Sequence, residues 1–190
     1  MMRLVPILMA AMVALAGCGL TQDATRQVAV LGGDVRVRAP NSYCVDTKSA
    51  KSVDDTAVVL IGRCNALGQV AAALVTVTVG RSASAGVMLA STEALRDFMS
   101  SPAGRRVLSR SGRAEDVVVL ESGVLDDRLM LHLKDRLAGD YWRAIIGVRG
   151  RLITISASGA EGIPLTPNEG RKLVELTVAA VRDANPVSQR

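Results

Sequence analysis

Hydrophobic and polar positions along this chain fall into two rhythms, a period of two that marks strands and a period near 3.6 that marks helices. Val35 and Val37 alternate with Arg36 and Arg38 just after Gly32-Gly33-Asp34, which predicts a hairpin with Val28 to Leu31 as its other arm. Pro40-Asn41-Ser42 then turns into Tyr43-Cys44-Val45, Thr47 to Thr56 is polar and reads as loop, and Ala57 to Ile61 is a continuous apolar strand. Val70 to Val79 is the longest β-type run, with Val75, Val77 and Val79 on one face and Thr76 and Thr78 on the other. Small residues from Gly80 to Gly86 interrupt it.

Helical spacing follows. Ser91 or Thr92 can cap a helix carrying Leu95, Phe98 and Met99, and Ser101-Pro102 restarts the pattern until a stop near Gly112. Two strands are expected at Val117 to Leu120 and Arg128 to Lys134, and a hairpin of Tyr141 to Val148 with Leu152 to Ser156 turns at Arg149-Gly150-Arg151. In its first arm Trp142, Ala144, Ile146 and Val148 share a face, opposite Tyr141 and Arg143. Thr166-Pro167-Asn168-Glu169 has the pattern of a capping box, opening a last helix from Pro167 to about Ala184. Leu173, Leu176, Thr177, Ala180, Val181 and Ala184 are its expected apolar face.

These elements predict an α+β fold: a mostly antiparallel sheet with two short helices on the N-terminal side and one long C-terminal helix packed on it. Their order is similar to that of the Mog1/PsbP-like group over roughly residues 28 to 185. That resemblance implies a binding or assembly role.

Ahead of the domain, Leu4 to Leu15 is uniformly apolar behind Arg3, the layout of an export signal. Twelve helical residues rise only about 18 Å, too little for a hydrocarbon core of about 30 Å. The run closes on Leu15-Ala16-Gly17-Cys18, which resembles the lipobox of bacterial lipoproteins. The resemblance implies cleavage between Gly17 and Cys18, a diacylglyceryl group on the Cys18 thiol and a further acyl chain such as palmitate on the freed amine. Gly19 after Cys18, in place of aspartate, implies sorting to the outer membrane of a two-membrane cell, with the domain on the periplasmic face. Domain organisation is therefore expected as a cleaved signal over 1–17, a lipidated cysteine with a short tether over 18–27, and a single domain over 28–190.

Composition narrows the partners. The 190 residues are 49% hydrophobic, yet Tyr43, Phe98, Tyr141 and Trp142 are the whole aromatic complement, too few for platforms that stack sugars or unpaired bases. Lys plus Arg outnumber Asp plus Glu by 23 to 18, a mild excess compatible with acidic lipid or an acidic partner. With export and no aromatic interleaving, nucleic acid is excluded as a partner. Once Cys18 carries lipid, Cys44 and Cys64 form an even pair in an oxidising compartment, and a disulfide between them is expected.

No catalytic constellation stands out. His132 is the one histidine and falls on the face opposite Leu129, Leu131 and Leu133, with Met130 and Lys134, so neither a metal centre nor a cofactor is expected. The chain lacks a Gly-x-Ser-x-Gly elbow and a Gly-rich phosphate loop. Asp54-Asp55, Glu115-Asp116 and Asp126-Asp127 lie in or beside loops, where carboxylates suit either solvation or acid–base work. Arg105, Arg106, Arg110 and Arg113 cluster in one predicted helix and its exit, a candidate docking patch for phosphate headgroups or an acidic protein, with Arg106 and Arg110 four apart on one face. The leading expectation is a lipid-anchored accessory or scaffold module of the cell envelope that binds a protein partner. A hydrolase using loop carboxylates and a carrier of a small apolar ligand are the alternatives. Several acyl chains make an effectively permanent anchor. Replacing Cys18 with alanine is therefore expected to move the protein from membranes to the soluble fraction, and retention of Cys18→Ala after a high-salt wash would overturn the anchor.

Overall fold

The computed structural model describes residues 25–65, 69–160 and 162–186. The expected export signal, Cys18 and most of the expected tether lie outside the described residues. The elements run β1 (Gln27–Val30), β2 (Val35–Arg38), β3 (Tyr43–Val53), β4 (Thr56–Arg63), β5 (Ala73–Val79), α1 (Gly86–Ala90), α2 (Thr92–Ser100), α3 (Pro102–Leu108), β6 (Val117–Leu125), β7 (Arg128–Asp135), β8 (Gly139–Val148), β9 (Arg151–Gly159) and α4 (Pro167–Ala184). Strands β3 to β9 form one sheet in the order β3-β4-β5-β9-β8-β7-β6, antiparallel throughout. β1 and β2 pair as a separate ribbon. The fold is thus α+β with a mostly antiparallel sheet and a long C-terminal helix. Among the described residues no helix is long and apolar enough to cross a membrane.

One face of the sheet is covered from β4 across β5 and β9 to β8. Val59, Ile61, Val75, Val77, Ala144, Ile146, Ile153 and Ile155 are all inaccessible there, packed under α4 and the β1–β2 ribbon. The helix starts as its sequence indicates: the Thr166 hydroxyl accepts from the Glu169 N–H, and the Glu169 carboxylate accepts from the Thr166 N–H. At its other end the Asn185 side chain accepts from the Arg36 N–H and donates to the Arg36 carbonyl, at 2.9 and 2.6 Å, so one amide satisfies the free edge of β2 and pins the helix to the ribbon. The buried stripe of α4 runs through Leu173, Val174, Thr177, Val178 and Val181. Leu176, expected in that stripe, is 48% exposed, because the helix turns Val174 and Val178 to the sheet.

The opposite face is covered over only part of its width. Met88, Leu95, Met99 and Leu108 from α1, α2 and α3 pack on Val117, Leu129, Leu131, Leu133, Tyr141 and Ile145 of β6, β7 and β8. Three short helices stand where two were expected, α1 being an added turn just after the small-residue stretch. Gly104 lets α3 fold back on α2, since a Cβ there would collide with the Phe98 carbonyl oxygen. α3 ends at Leu108, short of the expected stop near Gly112.

The polar stretch expected as loop is mostly strand: β3 continues to Val53, with a register shift between Asp46 and Lys51. At a sheet edge, backbone pairing to β4 suffices and both sides can stay wet, so no hydrophobic alternation marks the strand. Lysines and the irregularity also suit an edge that must not recruit other strands. Cys44 and Cys64 are joined by a disulfide with Cα atoms 4.8 Å apart, linking β3 to the end of β4. β6 likewise outruns its expectation, and the turn to β7 is Asp126-Asp127, with Asp126 at φ 55°. The cavity left by truncating a valine that α4 buries completely costs about 2 kcal/mol. Val178→Ala should therefore lower stability by about that amount in chemical unfolding, whereas Leu176→Ala should stay within about 0.5 kcal/mol.

Candidate functional site

Beyond β8 the helix-bearing face lies open, and its residues change character. Across β9 and β5 the outward positions are hydroxyls in register, Thr76 opposite Ser156 and Thr78 opposite Thr154. Leu60 and Val58 of β4 continue the row past Thr76 and Thr78. Where this floor meets the helix layer there is a recess of about 210 Å³, lined by those four hydroxyl residues, Ser158, Tyr141, Arg143 and Arg110.

Arg143 is held through its side chain and Arg110 through its backbone. Arg143 sits in register with Ser156 and donates from Nε to its hydroxyl at 2.9 Å, while its guanidinium carbon lies 5.4 Å from the centroid of the Tyr141 ring. Tyr141 is buried, and its hydroxyl donates to the Leu108 carbonyl at the last residue of α3. Burial raises the pKa of that phenol above its ordinary value, so it stays neutral. Arg110 leaves α3 directly after this clamp, and its backbone N–H donates to Asp135 at 3.2 Å. Asp135 is itself buried, which opposes its charge, but the N–H groups of Ala138, Leu137 and Arg110 outweigh that cost and hold its carboxyl below the usual range. Among the described residues neither the Arg110 nor the Arg143 guanidinium is in an ion pair. Two cations and five aliphatic hydroxyls face one small space that no carboxylate lines.

The four arginines singled out by sequence are engaged differently. Arg105 and Arg106 lie on α3, and Arg105 has its Nε buried without a partner among the described residues. Arg113 is bound to Asp116 at 2.8 Å and to Glu115 at 3.6 Å. Arg110 alone of the four lines the recess. Arg143 had no charge neighbour in sequence to mark it; only the pairing of β8 with β9 puts it beside the hydroxyl row.

The acidic pairs are engaged elsewhere. Arg151, with its side chain 8% exposed, joins Asp34 and Asp55 at 2.7 Å each and donates to the carbonyls of Asp55 and Gly80. Asp116 accepts from the Ser111 hydroxyl and is paired with Arg113 and Arg136. Asp127 is bonded to Arg182 of α4. The Asp55 and Asp116 carboxyls are held below their ordinary values, chiefly by the Arg151 and Ser111 hydrogen bonds respectively. A general acid needs the opposite shift. His132 is not simply wet either: its ring stacks on Trp142 at 4.8 Å between centroids and 2° between planes, with the Arg171 guanidinium 5.4 Å from the same indole.

Compared with known proteins, the chain matches no family model and no curated protein. Three solved structures are similar to it. The Ran-binding protein Mog1p of Saccharomyces cerevisiae has 12% identity and a TM-score of 0.45, and a mutant of protein Mog1 has 12% and 0.42; each alignment covers 85% of this chain and 94% of the other. Cyanobacterial PsbP (CyanoP) from Synechocystis has 15% identity and a TM-score of 0.39, covering 91% of this chain and 98% of its own. These are proteins of the kind whose element order the chain resembles, and at such identities no residue role passes from them to it.

The lowered Asp55 carboxyl sets a sign for pH. A depressed carboxylate stabilises the fold fully above its unfolded value of about 3.9 and loses that contribution as pH falls through the lower folded value. The gap in urea midpoint between the native chain and Asp55→Asn should therefore be constant from neutral pH down to about 5 and close below about 4. A gap that widens on acidification would contradict the assignment.

Proposed function

We propose that this protein is a lipid-anchored module of the cell envelope that binds a ligand or partner on the open half-face of its sheet. The observation that carries the reading is the mismatch between the two faces. One is covered with aliphatic side chains from β4 across β5 and β9 to β8, while the other lies open over β9, β5 and β4 and carries there an ordered row of hydroxyls beside two arginines that, among the described residues, form no ion pair. A merely solvated face does not require side chains fixed by a ring stack and a helix-end clamp. The paired, depressed carboxylates of Asp55 and Asp116 favour binding over hydrolysis by loop acids. An anchor on Cys18 with a short tether would hold this face within a few nanometres of the bilayer, among envelope partners.

Site-specific photo-crosslinking in native membranes tests the surface. A photoreactive side chain in place of Thr78 should yield a discrete adduct, and the same group in place of Lys172, on the exposed side of α4, should not. Equal labelling from both positions, or none from Thr78, would overturn the reading.

A further inference from the structure

The recess, taken as part of that binding surface, carries enough chemistry to name a ligand class. We propose that it binds a single phosphate group, held between Arg110 and Arg143 over the hydroxyls of Thr76, Thr154 and Ser156. The inference rests on the binding-module reading and adds the chemistry of what is bound.

Charge is the first reason. Two arginines border a space that, among the described residues, no carboxylate lines, so the recess concentrates positive potential that favours an anion. Valency is the second. A carboxylate offers two oxygens in one plane and is satisfied by one arginine fork, whereas a phosphate offers three or four tetrahedral oxygens and up to two charges. The recess presents donors from two directions, a floor of hydroxyls on β5 and β9 and a wall of arginines, and hydroxyls turn their hydrogens to suit an acceptor.

Pre-organisation is the third. Ser156 takes the Nε–H of Arg143 and the Tyr141 ring backs its guanidinium, so the plane of the fork is set and its two terminal nitrogens remain for a ligand. Tyr141 in turn is locked to Leu108, which fixes where Arg110 emerges. Size is the fourth. About 210 Å³ is the room of roughly seven waters, enough for a phosphate and the first atoms attached to it, and too little for a whole sugar chain. The rest of the ligand would therefore extend along the open face over Leu60 and Val58.

The experiment is a phosphate titration of the full lipidated chain in neutral detergent, followed by ¹H–¹⁵N NMR at the amides of β5, β8 and β9 and at the Arg143 Nε–H. Saturable shifts confined to those strands are expected. Affinity should fall about tenfold in Arg110→Gln and in Arg143→Gln, the loss of a charge-assisted bond, and should be unchanged in Lys172→Gln, which removes an equal charge from the other side. Ser156→Ala keeps both charges, frees the fork and should weaken binding even if Arg143→Gln fails to fold. No saturable shift up to ~50 mM phosphate, or an equal loss in Lys172→Gln, would overturn the proposal.

Two further arms separate the sources. Glycerol phosphate binding without a response to phosphatidylglycerol vesicles beyond that to phosphatidylcholine assigns a soluble phosphoester. A response to phosphatidylglycerol vesicles that Arg143→Gln abolishes assigns a headgroup. If crosslinking from Thr78 persists while phosphate fails to bind, the binding surface stands and the phosphate reading falls.

Discussion

Every strand of an antiparallel sheet has two sides, and the rest of this structure depends on how unequally its two sides need cover. Val59, Ile61, Val75, Val77, Ile153 and Ile155 are fully buried on one side, where leaving them wet would cost roughly 1.5 to 3 kcal/mol apiece. α4 and the β1–β2 ribbon meet that demand together, and neither is wide enough alone. On the other side the buried apolar residues are concentrated on β6, β7 and the adjoining part of β8, so three short helices suffice there. Beyond them β5 and β9 present mainly threonine and serine, which need no lid, and Val58 and Leu60 of β4 stay partly exposed. The open face follows from the arithmetic of side chains on each strand.

Charge then ties the pieces that hydrophobic cover leaves loose. Arg151 stands at the end of the sheet where the ribbon turn, the β3–β4 turn and the exit of β5 meet, and four of its bonds reach Asp34, Asp55 and Gly80. Such a guanidinium would be costly to bury unpaired, and the same is true of Asp116 between Arg113 and Arg136. Both clusters spend their charges on the fold. That partition leaves Arg110 and Arg143 conspicuous, since among the described residues they stay out of ion pairs while sitting on an organised, carboxylate-free recess.

The proposed function treats the open face as a receiving surface. The carboxylates that sequence offered as acids are stabilised in their charged form, and the sole imidazole is stacked against an indole. What remains available is hydrogen bonding and positive charge on a flat floor beside a helical wall. An anchor at Cys18 would add proximity to lipid and to other envelope components, which raises the effective concentration of any partner without a new contact.

Sequence by itself determined most of the elements, because burial writes a period into each strand or helix it covers. Val75-Thr76-Val77-Thr78-Val79 declared both its buried and its open side, and Thr166 to Glu169 declared the start of α4 through capping chemistry that is local. Where burial or local bonding was absent the signal failed: β3 looked like loop because an edge strand is held by backbone bonds that any polar residue can make. Val174 and Val178 were missed for Leu176 because a long aliphatic side chain mimics a core position when only composition is visible. The disulfide was legible from an even cysteine count in the expected compartment. The recess was not. Arg110 and Arg143 are 33 residues apart, and the hydroxyls beside them come from two further strands brought in by a β5–β9 pairing across about 80 residues. Only the tertiary structure could decide that, since the strand order that assembles the site depends on which faces must be hidden together and no local pattern records it.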